Sequence, residues 1–133
     1  MANSASYAST PVFGSALLTT ADTSLTAPAT VGTVLTAGSL GTRIDFIEVM
    51  GVATTVAGIV NLFIYDGTAY HLWQQIPIMP VTTSTTATSF NSTLSTNNTP
   101  NNFPLIIPAG YSLRATTTIA QTGLKVLAYG GNF

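Results

Sequence analysis

The sequence predicts an all-β protein built as a single antiparallel β-sandwich. β-Branched and aromatic residues recur in short runs that glycine, proline and asparagine interrupt, which is the pattern of strands joined by turns. No segment carries apolar residues at sustained helical spacing. Hydrophobic residues make up 46% of the 133 positions, too many for a disordered chain, and this length fits one domain with one core.

The N-terminal segment differs from the rest of the chain. Residues 1–14 are small and polar, with Tyr7 and Phe13 among them, so we predict an extended N-terminal arm here and a sandwich domain over residues 15–133. An arm of this kind can lie on a neighbouring subunit. We expect deletion of residues 1–13 to leave the fold intact and to weaken attachment to a partner.

The first two strands of the domain are predicted at Ser15–Thr20 and Val31–Thr36. Pro28 lies in the loop between them, where a proline does not interrupt a strand ladder. Gly38 and Gly41 supply a turn after the second strand, because glycine adopts positive φ without strain.

A longer strand is predicted at Thr42–Val52. Strict alternation places apolar residues on both of its faces. One face holds Ile47 and Val49, and the other holds Ile44, Phe46, Met50 and Val52. We therefore expect this strand to be covered on both sides, by the core and by another layer or subunit.

The strongest local signal is a hairpin. Its arms are predicted at Gly58–Tyr65 and Ala69–Ile76, joined at Asp66-Gly67. Asp-Gly is a favoured pair for a type I′ turn, in which both central residues have positive φ. Pro77 ends the second arm, because proline cannot donate to a strand ladder.

The C-terminal half continues the same pattern. Strands are predicted at about Thr86–Leu94, Pro104–Gly110, Tyr111–Thr118 and Leu124–Tyr129, with a loop rich in Asn, Thr and Pro over Ser95–Asn102. About eight short strands at spacings of roughly 8 to 15 residues favour a sandwich, and a jelly roll is the favoured version.

Charged residues are scarce. The chain has three Lys or Arg and four Asp or Glu, with a net charge of −1, whereas soluble domains usually carry about a quarter charged residues. Three cations cannot form the basic footprint that a nucleic-acid backbone needs, so we expect no direct contact with nucleic acid. Low repulsion between copies favours association, and we expect a homo-oligomer.

The titratable groups do not form a catalytic constellation, and we predict that the chain is not an enzyme. His71, the single histidine, lacks an evident nucleophile and orienting carboxylate, so a surface or interface role is favoured. Asp45 and Glu48 are three apart, which on a regular strand places them on opposite faces. Arg43 and Asp45 are two apart on one face, which favours an ion pair or a contact with a neighbouring subunit.

No cofactor or metal site is predicted. The chain has no cysteine, and its carboxylates lack the spacing of a calcium loop. The N-terminal residues lack the features of a secretory signal, and no apolar run approaches the roughly 18 residues of a membrane span. We therefore expect synthesis in the cytoplasm and no membrane anchor.

Aromatic and amide side chains lie close together on the predicted hairpin: Tyr65, Tyr70, Trp73, Gln74 and Gln75. This composition suits a glycan-binding groove. The alternative is that the rings pack in the core and at an interface, which is the commoner use of aromatic residues on a hairpin.

Four motifs occur in a characteristic order: GTVLTAG over residues 32–38, GTRI over 41–44, LFIYDGT over 62–68 and IPAGYSL over 107–113. In this order they resemble small β-sandwich virion proteins of tailed bacteriophages, of the capsid decoration or cement type. The resemblance extends from Gly32 to the C-terminus and does not cover the arm. It implies a sandwich on the outside of a phage head, commonly a trimer, that bridges major capsid subunits and resists internal pressure.

These interpretations together predict a structural virion protein on the capsid surface. Its expected partners are copies of itself, as a trimer, and the major capsid protein. The alternative is a tail or fibre module that binds a host-surface glycan. Candidate interface residues come from the arm, the isolated charges, the hairpin and the C-terminus: Tyr7, Phe13, Arg43, Asp45, Tyr70, His71, Trp73 and Phe133. Because Gly130 and Gly131 predict a flexible joint, Phe133 is expected either in the chain's own core or in a partner's pocket.

Overall fold

The computed structural model describes residues 8–95 and 104–133. Two antiparallel sheets pack face to face, and no helix occurs in these ranges, so the predicted all-β sandwich is confirmed. The strands are β1 Thr10–Leu18, β2 Gly32–Thr36, β3 Thr42–Gly51, β4 Gly58–Tyr65, β5 Tyr70–Ile78, β6 Asn91–Ser95, β7 Leu105–Ile107, β8 Ser112–Thr117 and β9 Leu124–Asn132.

The two sheets interleave strands from the whole length of the chain. In the five-stranded sheet β1, β9 and β3 lie side by side, and β6 and β7 both pair with the remaining edge of β3. The four-stranded sheet has the order β2, β8, β4, β5. As a result the first and last strands are neighbours, with β1 paired to β9 along its whole length.

The hydrophobic core lies between the sheets, and both contribute to it. Strand alternation directs one face of each strand inward, where the removal of apolar surface from water stabilises the fold. Its most deeply buried aliphatic side chains are Ile44, Ile47, Val49, Ile107, Leu124 and Val126 from the five-stranded sheet, and Val60, Leu62 and Leu113 from the four-stranded sheet.

A β-bulge in β3 corrects the predicted faces of this strand. Ile44 pairs with Gly130 and Phe46 pairs with Tyr129, so Asp45 is an extra residue without a cross-strand partner. The buried apolar side chains of β3 are therefore Ile44, Ile47 and Val49, and Phe46, Glu48 and Met50 lie outside the core. The predicted grouping of Ile44 with Phe46 and Met50 is wrong, because strict alternation does not hold across a bulge. The predicted placement of Asp45 and Glu48 on opposite faces is wrong for the same reason, since neither faces the core.

Gly130 lies opposite this bulge and allows the two strands to approach. A Cβ atom at Gly130 would lie 1.8 Å from the carbonyl oxygen of Arg43, so no side chain fits there. Gly131 is also a paired residue of β9, opposite Pro11 on β1 and Arg43 on β3. The predicted flexible joint at these two glycines is therefore wrong, because both belong to the middle strand of a paired trio.

The first strand begins well before its predicted start at Ser15. β1 pairs with β9 from Thr10 onward, so the segment Thr10–Gly14, which we expected in the arm, is part of the five-stranded sheet. Pro11 and Gly14 hide the strand pattern of this segment, because both residue types are depleted in strands, and an edge strand such as β1 tolerates a proline. The rest of the predicted arm, including Tyr7, lies outside the described residues.

The predicted hairpin is confirmed as β4 and β5, and its turn differs from the prediction. Residues 66–69 form a four-residue loop in which the N–H of Asp66 donates to the carbonyl of Ala69 at 3.2 Å. Gly67 has a φ of 94°, and no non-glycine residue in the described ranges has a positive φ, so the type I′ prediction is wrong. The Asp66 carboxylate instead accepts hydrogen bonds from the N–H groups of Thr68 and Ala69, at 2.8 and 2.7 Å, which stabilises the longer loop.

The strand predicted at Thr86–Leu94 is shorter than expected, because β6 covers only Asn91–Ser95. Before it, the Ser84 hydroxyl accepts a hydrogen bond from the N–H of Ala87 at 2.9 Å. Ser and Thr side chains commonly hold turns in this way, so a Thr-rich run need not be a strand.

Candidate functional site

Three aromatic rings form a row across the outer face of the five-stranded sheet. Tyr129 on β9 lies between its cross-strand partners Phe13 on β1 and Phe46 on β3. The ring centroids are 5.0 Å apart for Phe13 and Tyr129, and 5.5 Å apart for Phe46 and Tyr129, which are contact distances for aromatic pairs. Phe13 and Tyr129 keep 54% and 43% of their surface exposed. The row is therefore an apolar ridge open to solvent.

Aliphatic side chains extend this row into a larger surface, which we call the aromatic face. It comprises Phe13, Phe46 and Tyr129 with Leu17, Met50, Ile106 and Leu127, all placed on the same side of the sheet by the strand register. Leu17 and Ile106 are exposed, and Met50 and Leu127 are half-buried. Ser15, Glu48 and Lys125 lie among these residues in the register, so the face is apolar with polar groups within it. Exposed apolar side chains gathered on one face are typical of contact surfaces.

Four charged side chains lie on or beside the aromatic face. Arg43 Nε donates to Asp45 Oδ1 at 2.7 Å, which confirms the predicted ion pair. About half of each of these two side chains is exposed, so the pair contributes little stability. Glu48 and Lys125 have no ion pair or side-chain hydrogen bond in the described part of the chain. The face thus combines apolar area with one acidic and one basic group available to a partner.

A second group of side chains lies on the outer face of the four-stranded sheet, and we call it the Arg114 cluster: Phe63, Tyr65, Tyr70, Ser112 and Arg114. The guanidinium carbon of Arg114 lies 4.0 Å from the centroid of the Tyr65 ring, an attractive cation–π distance. Arg114 Nη1 donates to the Tyr70 hydroxyl and Nε donates to the Ser112 hydroxyl, each at 3.0 Å. The Tyr65 and Tyr70 rings are 4.5 Å apart, which completes the stack.

Phe63 lies under this stack. Its ring meets the Tyr70 ring edge-on with centroids 5.8 Å apart, and it is fully buried although it lies outside the cluster of core residues. Arg114 therefore belongs to a packed layer on the outside of the sheet and has restricted freedom of movement.

Arg114 has no carboxylate partner. All seven Asp, Glu, Lys and Arg residues of the chain lie within the described ranges. Among these residues and His71, Arg43 forms an ion pair with Asp45, and the His71 ring contacts Asp66. The Arg114 cluster therefore carries one positive charge that no acidic side chain neutralises.

His71 lies at the hairpin turn and contacts Asp66. Its Nε2 atom is 2.9 Å from Asp66 Oδ2, and more than half of the His71 side chain is exposed. The N–H of Ala69, the His71 ring and the N–H of Thr68 lower the pKa of Asp66 from its ordinary value of 3.8 to about 2, since each favours the ionised carboxylate. His71 thus helps to hold a turn.

Trp73 occupies a bulge in β5 and does not project as an open stacking surface. Leu62 pairs with Gln74 and Phe63 pairs with Leu72, so Trp73 is the extra residue between them. The indole is half-buried and packs against the hydrophobic core. Trp73 therefore lies toward the core, whereas Tyr70 stacks on the outer face of the sheet with Tyr65.

Phe133 stays close to its own chain. Its N–H donates to the carbonyl of Gly41 at 3.2 Å, and its half-buried ring lies beside Gly41. It is not one of the core residues. Of the two predicted placements, burial in the chain's own core is therefore not found.

The structure brings some predicted residues together and separates others. Phe13 joins the aromatic face, with Arg43 and Asp45 beside it, whereas Tyr70 belongs to the opposite sheet and to the Arg114 cluster. Sequence reasoning missed Tyr129 and Arg114 as members of these surfaces. The alternation Lys125, Leu127, Tyr129 is a signal that could have found Tyr129, because it gives β9 an outward apolar stripe. No local pattern could have found Tyr65 and Tyr70 as partners of Arg114, because they come from two other strands, whereas Ser112 lies two residues away on β8.

A small cavity lies at the edge of the sandwich. It has a volume of about 70 Å³ and lies between the end of β1 and the start of β2, lined by residues 17–20 and 30–32. This volume is well below the several hundred Å³ of a typical small-molecule site. Recognition by the described part of the molecule would therefore use its open faces.

Within residues 8–95 and 104–133, no group of three or more His, Cys, Asp or Glu side chains is placed to hold a metal ion. The described ranges contain no helix long and apolar enough to span a membrane. Comparison with protein-family models and with curated proteins finds no match for this chain.

Proposed function

We propose that this chain is a structural virion protein that decorates or cements the capsid exterior of a tailed phage. In this proposal it forms a homo-oligomer, expected to be a trimer, that bridges major capsid subunits. It is made in the host cytoplasm and resides on the virion surface. The order of its sequence motifs supports the phage resemblance, and the aromatic face is the observation that carries the contact role.

The aromatic face supports association because its exposed groups are those that contribute most to protein interfaces. Phe13 and Tyr129 present large, rigid rings, which are enriched at contacts and lose little conformational freedom on binding. Burial of such a face stabilises a complex by roughly 25 cal/mol per Å² of apolar area before the costs of association. The charges that usually keep soluble domains apart are few, so little repulsion opposes the contact.

The strand order supports the finer assignment of the fold as a jelly roll. The order β1, β9, β3, β6 faces the order β2, β8, β4, β5, and consecutive strands mostly alternate between the sheets. Interleaved sheets of this kind arise when a long antiparallel ribbon folds over on itself, as in jelly rolls of viral capsid domains.

The self-association part of the proposal is tested with a double variant, Phe13→Ser with Tyr129→Ser. Light scattering of the purified wild type at micromolar concentration is expected to give an oligomer, and the variant is expected to shift to the monomer with an unchanged circular dichroism spectrum. Leu40→Ser is the matched control, because Leu40 is 75% exposed and lies in a turn away from the aromatic face. A monomeric wild type, or a variant that remains oligomeric, would contradict this role of the face.

The capsid role is tested separately on phage particles. Mass spectrometry and electron microscopy of purified particles are expected to find the chain on the outside of the head in a regular array. Its absence from intact particles, or its presence on the tail alone, would overturn the capsid assignment and leave the result on self-association standing.

A second candidate function is a tail or fibre module that binds a host-surface glycan. The half-exposed Tyr65 and Tyr70 rings with Arg114 favour it, because saccharide sites commonly combine aromatic rings with fixed polar groups. The burial of Trp73 against the core weakens the version that uses the Tyr70–Trp73 region. A glycan array without binding would count against this candidate.

A further inference from the structure

We propose that the Arg114 cluster is a binding site for a carboxylate group carried by a saccharide, such as a hexuronic acid. The inference rests on the second, glycan-binding candidate and names the chemistry of its ligand. It requires neither the capsid role nor an oligomer, because every residue of the cluster belongs to one chain.

The Arg114 guanidinium retains the donors that a carboxylate needs. It carries five N–H groups, of which one on Nε and one on Nη1 are used by the hydroxyls of Ser112 and Tyr70. The second N–H of Nη1 and both of Nη2 have no acceptor in the described part of the chain. Both N–H groups of Nη2 and the remaining one of Nη1 can donate to the oxygens of a carboxylate, and arginine–carboxylate pairs frequently form two such bonds as a parallel fork.

The guanidinium is also held in place before a ligand arrives. The Tyr65 ring lies 4.0 Å beneath it, and the two hydroxyls fix its rotation about that ring. An arginine ordered in this way loses little side-chain entropy on binding, which is the usual cost for a long flexible residue. Its partial burial also strengthens the attraction to an anion, because the effective dielectric constant is lower than in bulk water.

The local charge matches a single negative charge. The other two cationic side chains lie elsewhere, with Arg43 paired to Asp45 and Lys125 on the aromatic face. One unneutralised cation balances one carboxylate. It is too little charge for a phosphate-rich polymer, which needs several cations along its length.

The neighbours of Arg114 favour a ligand that carries hydroxyl groups. On β2, Thr33 pairs with Arg114 and Thr36 pairs with Ser112, and both threonines are exposed. These hydroxyls both donate and accept hydrogen bonds, as a sugar requires. The site therefore combines an anchored cation with neutral hydroxyls.

The test compares methyl glucuronide with methyl glucoside, which differ only in whether C6 is a carboxylate or an alcohol. Each is titrated into the full chain while amide and aromatic NMR signals are followed. We expect methyl glucuronide to shift signals of Tyr65, Tyr70 and Arg114 with a dissociation constant of about 10 mM. This weak affinity suits multivalent binding. Methyl glucoside is expected to bind about tenfold more weakly, because it lacks the charge-assisted fork.

Two variants and a matched control locate the effect. Arg114→Gln is expected to weaken methyl glucuronide binding about tenfold. Arg43→Gln, which removes an arginine from the opposite sheet, is expected to leave it unchanged. Tyr70→Phe keeps the ring and removes only the hydroxyl that positions Nη1, so it is expected to weaken binding about threefold. This second variant keeps the test decisive if Arg114→Gln does not fold.

The remaining outcomes separate this inference from the candidate on which it rests. Equal binding of methyl glucoside would overturn the carboxylate site and keep the glycan candidate, whereas no binding of either sugar would overturn both. Acetate binding as tightly as methyl glucuronide would show that charge alone is recognised and would overturn the saccharide assignment. An acidic tripeptide binding more tightly than methyl glucuronide would overturn it in favour of a protein partner.

Discussion

At the scale of single residues, Asp66 closes the β4–β5 turn through its carboxylate. It accepts hydrogen bonds from the N–H groups of Ala69 and Thr68, and its second oxygen meets His71. These contacts lower the pKa of Asp66 to about 2 in the folded chain, against an ordinary value of 3.8. A lowered carboxyl pKa contributes stability that is fully present above the unfolded value and is lost as the pH falls through the folded value.

We therefore expect acid destabilisation of this turn between about pH 4 and pH 2. Asp66→Asn keeps an oxygen acceptor for the two N–H groups and removes the ionisation, so its melting temperature should fall less than that of the wild type over this interval. Thermal unfolding at a series of pH values measures both curves. Asp22 supplies an internal comparison, because hydrogen bonds from the N–H groups of Thr30, Ser24 and Ala29 also lower its pKa. Parallel curves for the variant and wild type would contradict the assignment to Asp66.

Some contacts of single residues can be predicted from the sequence, and others cannot. The Arg43–Asp45 ion pair is predictable because its members are two residues apart on one strand. The surroundings of Arg114 are not, because Tyr65 and Tyr70 come from β4 and β5, and only the pairing of β8 with β4 brings them together. A contact between distant strands depends on register, which no local periodicity reveals.

At the scale of elements, β3 shows how one residue decides which side chains enter the core. The sequence correctly predicts a long apolar strand, and strict alternation then assigns Ile44 to the wrong face. Asp45 bulges out of the ladder, so that Ile44 before it and Ile47 after it both point inward. Alternation alone cannot detect such an insertion, because it leaves the composition of the strand unchanged.

Deletion of Asp45 is consequently expected to be tolerated. The pairs Ile44–Gly130 and Phe46–Tyr129 would become consecutive in a regular ladder, with every apolar residue still on its observed face. The cost is the exposed ion pair with Arg43, so the free energy of unfolding should change by about 1 kcal/mol or less. Urea unfolding monitored by circular dichroism measures it.

The matched control is deletion of Glu48 from the same strand. This removes a residue outside the bulge, so Val49 would turn outward and Met50 would turn toward the core. Such an exchange of faces should destabilise the protein by about 4 kcal/mol or more, or prevent folding. Equal effects of the two deletions would show that Asp45 is not an extra residue in the ladder.

At the scale of the whole molecule, the sandwich is predictable and its edge is not. Many short β-rich runs with frequent turns leave few alternatives to two packed antiparallel sheets. The sequence indicates only the second half of β1, because Pro11 and Gly14 interrupt the strand pattern of the first half, which is placed by its pairing with β9, the last strand. The edge of the five-stranded sheet at β1 therefore becomes evident only from the pairing of this strand with β9.

Truncation separates the arm from the strand. A chain starting at Ala8 retains every residue of β1 and is expected to unfold at the same urea concentration as the full chain. A chain starting at Gly14 loses the pairs from Thr10–Asn132 to Phe13–Tyr129. Loss of these ladder hydrogen bonds and of the Phe13 ring contact should lower the free energy of unfolding by about 2 to 4 kcal/mol.

The same two truncations also distinguish an effect on stability from an effect on self-association, since Phe13 belongs to the aromatic face as well as to β1. If only stability depends on the segment, the chain starting at Gly14 should remain an oligomer in light scattering at temperatures where it is folded. If the aromatic face forms the contact, that chain should be a folded monomer, while the chain starting at Ala8 stays associated. Unchanged stability of the chain starting at Gly14 would instead place Thr10–Phe13 outside the sheet, because a paired edge strand cannot be removed without cost.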